Sequence, residues 1–337
     1  MTKTSRRVKV AVVQAAPVLF DLPATLQKIQ RLVQDCASAG ARLALFPEAF
    51  IPAYPRGLSF GMVVGQRSQD GRNQWQRFYE EAVEIPGEVT KVLGAASREA
   101  GIHTVVGVVE RESRVGRGTL YCTLLYFGPD GELLHRHRKL KPTGSERLIW
   151  GEGDGSSLKV LETDAGRVGG LICWENYMPL ARVALYAEGV EVYLAPTADP
   201  RDTWQATLRH IACEGRCFVL GCNQFVTKSM LPREWAELDE VQTQSEILCR
   251  GGSAIYSPLG ELLAGPVFDR EEVLFADLDL GEVVCAKLDF DAVGHYARPD
   301  VFQLHVNRQP AATVRFTDLD GDIVTEPSSC PAAKKEE

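Results

Sequence analysis

Three segments of the chain each carry a side chain that can take part in covalent hydrolysis. Glu48 follows an apolar run, Lys139 ends a basic run, and Cys173 follows an apolar run that ends at Ile172. A thiol can attack an electrophilic carbon, and a carboxylate can take up the thiol proton. An ammonium group can stabilise the negative charge that develops. These residue types would therefore suffice for hydrolysis through a covalent intermediate.

Glu48 and Lys139 each have an ordinary alternative role. Desolvation by the apolar neighbours of Glu48 would raise its pKa, which suits a general base near neutral pH. The alternative is a loop carboxylate or a helix cap. Lys139, at the end of a predicted hairpin, would direct a cation into a cleft. Its alternative is a solvated basic strand edge, which protects sheets from aggregation.

Cys173 lies where an apolar strand runs into a turn, and Pro179 begins a predicted helix soon after. This arrangement resembles a nucleophile elbow, a sharp strand-to-helix turn that exposes the reactive atom. Backbone N–H groups and the helix N-terminus would favour the thiolate and could stabilise an oxyanion. The alternative is an inert thiol in the core, which is the commonest role of a free cysteine.

The other cysteines favour packing over chemistry. The chain has nine cysteines, an odd number spread along its length. In a reducing compartment such residues are mostly buried thiols. Cys213, Cys217 and Cys222 lie close together, but their spacing contains no Cys-x2-Cys pair, so we expect no metal site there. None of the six histidines lies in a segment that pairs obviously with Cys173.

The elements that must position these residues alternate between apolar strands and amphipathic helices. The first strand spans 8–13, a helix runs from about Asp21 to Gly40, and a strand at 43–46 follows. Further strands are predicted at 103–109, 120–127, 132–138, 168–172, 190–194, 217–225, 252–256, 261–264 and 273–279. Further helices are predicted at 87–99, 179–187 and 199–214. This alternation, with its embedded hairpins, predicts an α/β protein with mixed sheets and helices on their faces.

The domain organisation follows from the absence of a linker. No Pro/Gly/Ser-rich stretch divides the chain, so we predict a single domain over residues 1–316. The polar insertion at 227–247 is expected to form a surface loop or a short helix. Residues 317–337, which are acidic and then rich in Pro, Ala, Lys and Glu, are expected to form a flexible tail.

Composition and charge exclude several classes of function. Hydrophobic residues make up 45% and charged residues 24%, as in ordinary globular proteins. No apolar run approaches the roughly 20 residues that span a bilayer, and no apolar signal region follows the N-terminus, so we expect a cytoplasmic protein without a membrane partner. The net charge of −8 disfavours a nucleic-acid partner. No Gly-x-Gly-x-x-Gly joins the first strand to the first helix, which disfavours a dinucleotide site.

Taken together, the three segments resemble the Glu, Lys and Cys motifs of the nitrilase superfamily in their order and spacing. The motifs are Phe46-Pro47-Glu48, His137-Arg138-Lys139-Leu140-Lys141-Pro142-Thr143 and Cys173-Trp174-Glu175-Asn176. Further matches are Trp150-Gly151-Glu152-Gly153-Asp154-Gly155, Ala195-Pro196-Thr197-Ala198-Asp199 and Val293-Gly294-His295-Tyr296-Ala297-Arg298-Pro299-Asp300. The likeness extends from about Val8 to Leu304. It is greatest to the nitrilase branch, and within that branch to plant-type nitrilases and bacterial relatives that act on cyanoalanine or arylacetonitriles.

The resemblance implies a fold, an assembly and a site. The fold would be a four-layer αββα sandwich with two mixed β-sheets, and copies would associate through helices into dimers and spiral oligomers. Glu48, Lys139 and Cys173 would be catalytic, with Glu146 as a second carboxylate. Four aromatic residues match positions that line the substrate pocket, although core packing is the alternative: Tyr54, Trp150, Trp174 and Tyr177. Gly144 and Ser145 are smaller than their counterparts in many relatives, which alters the expected pocket wall.

The implied reaction is hydrolysis of a small organic nitrile to a carboxylic acid and ammonia. It would proceed through a thioimidate and an acyl-enzyme on Cys173, without a metal or an organic cofactor. An amidase or carbamoylase would use the same three residues, and partial release of the amide is a further alternative. A non-catalytic binding or scaffold protein of the same fold is disfavoured, because all three reactive residues are present.

Overall fold

The computed structural model describes residues 6–113, 116–314 and 317, and its strands form two seven-stranded sheets. The strands are β1 (Arg7–Gln14), β2 (Leu43–Leu45), β3 (Val83–Glu84), β4 (His103–Arg111), β5 (Leu120–Phe127), β6 (Leu133–Arg138), β7 (Leu161–Thr163), β8 (Gly166–Gly170), β9 (Val192–Pro196), β10 (Phe218–Cys222), β11 (Phe225–Thr227), β12 (Ile247–Tyr256), β13 (Leu262–Phe268) and β14 (Glu272–Asp279). The α-helices are α1 (Leu22–Ser38), α2 (Gln69–Glu80), α3 (Glu88–Ala100), α4 (Pro179–Ala187), α5 (Thr203–Gly215), α6 (Arg233–Ala236), α7 (Asp239–Gln242) and α8 (Gly281–Ala286).

Both sheets contain parallel and antiparallel strands, which confirms the prediction of mixed sheets. The first has the order β14-β1-β2-β4-β5-β6, with β3 beside β4. In it, β1, β2 and β4 are parallel, and β5, β6 and β14 run antiparallel to their neighbours. The second has the order β11-β12-β10-β9-β8-β7, with β13 beside β12. Its parallel strands are β8, β9 and β10.

The alternation of side chains along the strands creates three apolar layers. In β1, Val10 and Val12 belong to the cluster between the sheets, whereas Ala11 and Val13 pack with residues of α1 on the outer face. This division follows from the two-residue period of a strand, which points successive side chains to opposite faces. Both faces of β1 are therefore buried from Val10 to Val13, and this part of the strand is continuously apolar.

The second sheet is built in the same way. Leu194 of β9 faces the layer between the sheets, and Tyr193 faces the layer that contains Leu185 of α4 and Leu208 of α5. Helices thus cover the outer face of each sheet, and the two sheets pack against each other. This arrangement confirms the predicted four-layer αββα sandwich.

The boundaries of α1 illustrate how local sequence sets an element. Asp21 precedes the helix, and its side chain accepts a hydrogen bond of 2.9 Å from Ala24 N. Pro23 occupies the first turn, where its missing N–H costs nothing. After the last turn, Gly40 adopts a φ of +87°, which favours glycine. The predicted helix between Asp21 and Gly40 is confirmed.

Several predicted boundaries are wrong. The helix expected from Asp199 begins at Thr203, because the Asp199 carboxylate accepts a hydrogen bond from Arg201 N and forms a turn before the helix. The strand expected over 217–225 is interrupted between β10 and β11. Helices α2 and α8 were not predicted. Helix α2 buries only Gly71 and Phe78, so its apolar periodicity is weak.

The insertion at 227–247 forms the short helices α6 and α7, and it buries Trp235 and Val241. The predicted tail at 317–337 lies outside the described residues apart from Thr317. The domain boundary at 316 also lies outside them and stays a prediction. Within the described ranges, no helix is long and apolar enough to cross a membrane.

Candidate active site

Glu48, Lys139 and Cys173 lie just beyond strand ends of the two sheets. Glu48 follows β2, Lys139 directly follows β6, and Cys173 lies beyond β8. Glu48 and Lys139 are fully buried, and only 4% of Cys173 is exposed. Cys173 belongs to the cluster between the sheets, and its thiol lies within hydrogen-bonding reach of Glu48, which also contacts Lys139. Three reactive side chains that are far apart in sequence therefore lie together.

The loop that carries Glu48 lies against the neighbouring strand β4. Phe50 N donates a hydrogen bond of 2.7 Å to Gly107 O in β4. A Cβ atom at Gly107 would lie 2.2 Å from Pro47 O, so only glycine permits this close approach. From the second sheet, Gln224 Nε2 donates to Glu48 O at 2.7 Å. The backbone at Glu48 is therefore fixed from both sheets.

Lys139 is held at its backbone by strand β5 and by the loop that contains Gly153, and at its side chain by two carboxylates. Its N–H donates to Cys122 O at 2.8 Å, and its carbonyl oxygen accepts from Gly153 N at 2.8 Å. The ammonium Nζ donates to Glu48 Oε1 at 2.6 Å and to Glu146 Oε2 at 2.8 Å. A buried cation is tolerated only with such partners, because its desolvation is costly.

Glu146 lies in a short 3₁₀ turn, Gly144–Leu148, and it satisfies three donors. Besides Lys139, Thr143 N donates to Glu146 Oε2 at 2.7 Å and Tyr54 OH donates to Glu146 Oε1 at 2.6 Å. Both carboxylate oxygens thus have fixed partners. Glu146 is suited to hold Lys139 in place, whereas one oxygen of Glu48 remains available to accept a proton.

Cys173 lies on a strained turn, as the elbow prediction requires. Its φ is +51°, a left-handed conformation that costs a non-glycine residue on the order of 1–3 kcal/mol. Asn176 stabilises the turn, since its Nδ2 donates to Cys173 O at 2.8 Å and to Leu171 O at 2.9 Å. The residues directly after the thiol form a 3₁₀ turn, Cys173–Tyr177, and α4 begins only at Pro179.

Glu175 connects the segment of Cys173 to the segment of Lys139. Its carboxylate accepts hydrogen bonds of 2.6 Å from Ile172 N and 2.6 Å from Leu140 N. These are the residues directly before the thiol and directly after the lysine. Glu175 is 1% exposed and also contacts His137 Nε2 at 3.1 Å. Sequence reasoning did not assign it a role, although it lies within the Cys motif.

Thr197 is a second residue that sequence reasoning missed. It follows β9, is 1% exposed, and its hydroxyl oxygen lies 3.0 Å from Cys173 Sγ. It belongs to the segment Ala195–Asp199, which matched the family, but its type alone did not distinguish a contact with the thiol from packing.

Comparisons with known proteins agree with this geometry. Residues 9–287 match the carbon-nitrogen hydrolase family. The chain belongs to the carbon–nitrogen hydrolase family. It is 48% identical over 320 residues to a bifunctional nitrilase/nitrile hydratase of Lupinus angustifolius, covering 94% of this chain and 90% of the relative. It is 49% identical over 306 residues to an aliphatic nitrilase of Sinorhizobium fredii, covering 91% and 97%.

Among solved structures, the C. elegans NitFhit protein shares the fold. The superposition has a TM-score of 0.69 at 19% identity and covers 92% of this chain and 70% of that chain. At this identity the similarity concerns the fold alone. It agrees with two packed sheets covered by helices in this carbon–nitrogen hydrolase.

Burial dominates the electrostatics of the hydrolase site. It raises the pKa of Glu48, although the charge of Lys139 opposes the shift. It also raises the pKa of the Cys173 thiol, with a further rise from the charge of Glu48, against the opposing effects of Lys139 and Thr197. The net shift favours the neutral thiol, so burial opposes the stabilisation that the turn was expected to give the thiolate.

Lys139 behaves differently from an isolated buried amine. Burial alone would lower its pKa, but the negative charges of Glu48 and Glu146 contribute to raising it well above its usual value. The amine is therefore an ammonium group at neutral pH. Glu48 Oε2 is buried and accepts no hydrogen bond of normal geometry from the described residues. This oxygen remains available to take up a proton.

A cavity of about 470 Å³ opens beside the hydrolase site. Tyr54 and Glu146 line it together with Arg56, Ile149 and Gln244, so it reaches Glu146. Glu48, Lys139 and Cys173 do not line it. Trp150 does not line this cavity, but its ring packs edge-on against Tyr54 at 5.8 Å between centroids. Its buried indole Nε1 has no hydrogen-bond partner among the described residues.

Trp174 and Tyr177 lie at the surface of the hydrolase. They are 39% and 43% exposed, and their rings pack edge-on at 5.6 Å. Trp174 Nε1 donates to Asp199 Oδ2 at 2.8 Å. Neither residue lines the cavity of Tyr54 and Glu146. Their assignment to the substrate pocket, like that of Trp150, stays a prediction.

Proposed function

We propose that the protein is a nitrilase that converts a small organic nitrile to a carboxylic acid and ammonia, with Cys173 as the nucleophile. The observation that carries the proposal is the buried contact of Lys139 Nζ with Glu48 Oε1 at 2.6 Å, beside a thiol on a strained turn. Support for the substrate class comes from relatives named as nitrilases at 48% and 49% identity.

In the first step, the Glu48 carboxylate takes the thiol proton of Cys173. The sulfur then attacks the nitrile carbon, and an electron pair of the carbon–nitrogen triple bond moves to nitrogen. Lys139 stabilises the charge that develops there, and the proton held by Glu48 passes to this nitrogen, which gives the thioimidate and restores the Glu48 carboxylate. Removing one such donor from comparable sites costs about 10²–10³ in kcat.

In the second stage, a water molecule adds to the thioimidate while Glu48 acts as the base. The resulting tetrahedral intermediate expels ammonia and leaves a thioester on Cys173. A second water, activated in the same way, releases the carboxylic acid and restores the thiol. Glu146 orients Lys139 throughout. Thiol, carboxylate and ammonium supply the nucleophile, base and cation, so the proposal requires no metal or organic cofactor.

The pocket residues belong to the proposal as well. Tyr54 lines the cavity and is fixed by its hydrogen bond to Glu146, which supports a role in shaping the substrate site. The indole N–H of Trp150, which has no hydrogen-bond partner in the described part of the chain, supports a role as a donor near Lys139, whose Nζ lies 5.9 Å from the ring centroid. Trp174 and Tyr177 are proposed to line the entrance from the solvent side.

An amidase or carbamoylase would use the same site and is the first rival. A panel of matched nitriles and amides, with detection of ammonia and identification of the organic product, separates the two. We expect acid and ammonia from nitriles and much slower turnover of the matched amides. Turnover of the amides alone would contradict the proposal. The Cys173→Ala variant provides the blank for both substrate classes.

Release of some product as the amide is a second outcome that we include. The relative from Lupinus angustifolius is named as bifunctional and is 48% identical over 94% of this chain, which supports the inclusion. The amide arises when the tetrahedral intermediate expels the Cys173 thiolate rather than ammonia. Chromatographic measurement of acid and amide from one nitrile tests it directly.

We further propose a cytoplasmic homo-oligomer. Exposed apolar side chains on helices support association: Leu180 on α4 is 65% exposed and Val284 on α8 is 72% exposed. Such residues are typical of surfaces that another copy covers. Light scattering of the wild-type protein and of Leu180→Glu tests this assembly. A wild-type monomer would contradict it.

A further inference from the structure

Thr197 is the residue whose hydroxyl touches the reacting sulfur. Its Oγ1 lies 3.0 Å from Cys173 Sγ, in a part of the site that is closed to solvent. Its backbone is fixed, because Thr197 N donates to Cys222 O at 2.8 Å. The fold of this loop therefore sets the position of Thr197 beside the sulfur.

The direction of the hydrogen bond between Thr197 and Cys173 follows from the other partner of Thr197 Oγ1. Asp199 N donates to Thr197 Oγ1 at 3.0 Å, so the oxygen already serves as an acceptor. A hydroxyl has a single proton, and among the described residues the remaining hydrogen-bonding neighbour of Thr197 Oγ1 is the sulfur. The Thr197 proton is thus directed at Cys173 Sγ. A neutral thiol is a weak acceptor, whereas a thiolate accepts a strong charge-assisted bond.

We propose that Thr197 is a further catalytic residue, whose hydroxyl donates a hydrogen bond to Cys173 Sγ and stabilises negative charge on the sulfur whenever that charge forms. The same contact acts twice in the cycle. It assists the formation of the thiolate before attack, and it assists the departure of the thiolate from a tetrahedral intermediate. The second effect rests on the proposed nitrilase function, whereas the first concerns the thiol alone.

The second effect sets the ratio of the two products. The tetrahedral intermediate carries the sulfur, a hydroxyl and an amino group on one carbon. When the carbon–nitrogen bond breaks, the amino group takes a proton and leaves as ammonia, and the thioester remains. When the carbon–sulfur bond breaks, its electron pair returns to sulfur and the hydroxyl proton passes to Glu48. A carbonyl forms and the amide leaves. A donor on the sulfur favours this second route.

The other charges around the sulfur are unchanged by a substitution at Thr197. The groups whose charges act on Cys173 or respond to it are Glu48, Lys139, Glu146 and Arg201. The two glutamates raise the pKa of the thiol and Lys139 lowers it. Valine has the same shape as threonine but lacks the hydroxyl, so Thr197→Val removes the donor to the sulfur together with the acceptor of Asp199 N. Thr197→Ser retains both.

The experiment measures alkylation of Cys173 by iodoacetamide as a function of pH, with the modified peptide followed by mass spectrometry in the folded full-length protein. For Thr197→Val we expect an apparent pKa about one pH unit higher and alkylation about tenfold slower near pH 7, as expected for the loss of a bond to a charged group. Thr197→Ser should resemble the wild type. With a nitrile substrate, Thr197→Val should give several-fold less amide relative to acid.

Thr104→Val is the matched control. Thr104 is also buried at 1% exposure in a strand, and its hydroxyl has no hydrogen-bond partner among the described residues. Its alkylation profile and product ratio should be those of the wild type. Thermal unfolding establishes that each variant is folded before it is compared.

Two results would overturn the inference. One is an unchanged alkylation profile in Thr197→Val, and the other is a Thr197→Ser variant that behaves like Thr197→Val. If the wild type hydrolyses no nitrile, the proposed function fails, and the alkylation profile still decides whether Thr197 stabilises the thiolate. An altered profile with an unchanged product ratio would refute the effect on departure.

Discussion

Replacement of Glu175 by glutamine tests whether one buried carboxylate aligns the thiol with the ammonium group. In the wild type, its two oxygens accept from Ile172 N and Leu140 N, both at 2.6 Å. A glutamine amide offers one oxygen and one NH₂ group. One of the two backbone N–H groups must then face another donor and lose its partner.

The magnitude follows from this loss. A buried donor without a partner costs about 1–3 kcal/mol, and hydrogen bonds to a charged group lie at the upper end of the range. We therefore expect Glu175→Gln to lower the free energy of unfolding by roughly 2–3 kcal/mol. Because a displacement of about 1 Å in a catalytic group can cost 10²-fold in rate, we expect kcat to fall by one to two orders of magnitude. KM should change much less, since Glu175 does not line the cavity.

The assay combines chemical denaturation with steady-state kinetics on a nitrile. Glu188→Gln is the matched control, because Glu188 Oε2 also accepts from a backbone N–H, that of Val160, at 2.7 Å. This hydrogen bond stabilises the C-terminal end of α4 and involves no residue of the three reactive segments. The control should lose some stability and keep its kcat. A Glu175→Gln variant with stability and kcat both within error of the wild type would refute the alignment argument.

Three further predictions concern the reactive groups themselves. Cys173→Ala should abolish turnover and covalent labelling at position 173 while circular dichroism stays unchanged; a substantially active variant would remove the mechanism. Lys139→Met should lower kcat by at least about 10²-fold, which steady-state kinetics measures. It should also destabilise the fold, because Glu48 and Glu146 then share the site without a cation, and chemical denaturation measures this loss. Burial raises the pKa of Glu48 above 4.5, so the acid limb of the kcat/KM profile should lie above pH 4.5. Activity should be lost as the pH falls, because the base becomes protonated. An acid limb at or below pH 4.5 would exclude Glu48 as the base.

The parts of the fold that the sequence predicted well are those with a strong local signal. The helix after Asp21 has a cap, a proline and a glycine stop, and the hairpin of β5 and β6 has a Gly-Pro-Asp-Gly turn. Helix α2 lacked such a signal because few of its side chains are apolar. Its position depends on contacts such as that of Phe78 with Phe60, whose rings lie 5.4 Å apart. Contacts of this kind are not visible in a local pattern.

The residues of the site also differ in how well the sequence predicted them. Glu48, Lys139 and Cys173 each follow a predicted strand, so their placement near strand ends could be inferred, and the order of the motifs linked them. Glu175 and Thr197 could not be assigned in this way. Their roles depend on hydrogen bonds to atoms that belong to other loops, such as Leu140 N and Cys173 Sγ. Residue type and spacing do not encode the direction in which a carboxylate or a hydroxyl points.

The raised pKa of the Cys173 thiol can be compared with the stabilisation that the turn offers to a thiolate. A helix N-terminus or a few backbone N–H groups stabilise a nearby negative charge by about 0.3–1 kcal/mol at an exposed site. Complete burial can shift a pKa by up to about 3–5 units, and each unit corresponds to about 1.4 kcal/mol. The sequence showed the turn but could not show that Cys173 is closed to solvent and faces a carboxylate. Burial therefore outweighs the turn, and in the proposed mechanism the thiolate forms when Glu48 accepts its proton and Lys139 and Thr197 stabilise the charge. Activation of the nucleophile is thus a property of the assembled cluster rather than of the elbow.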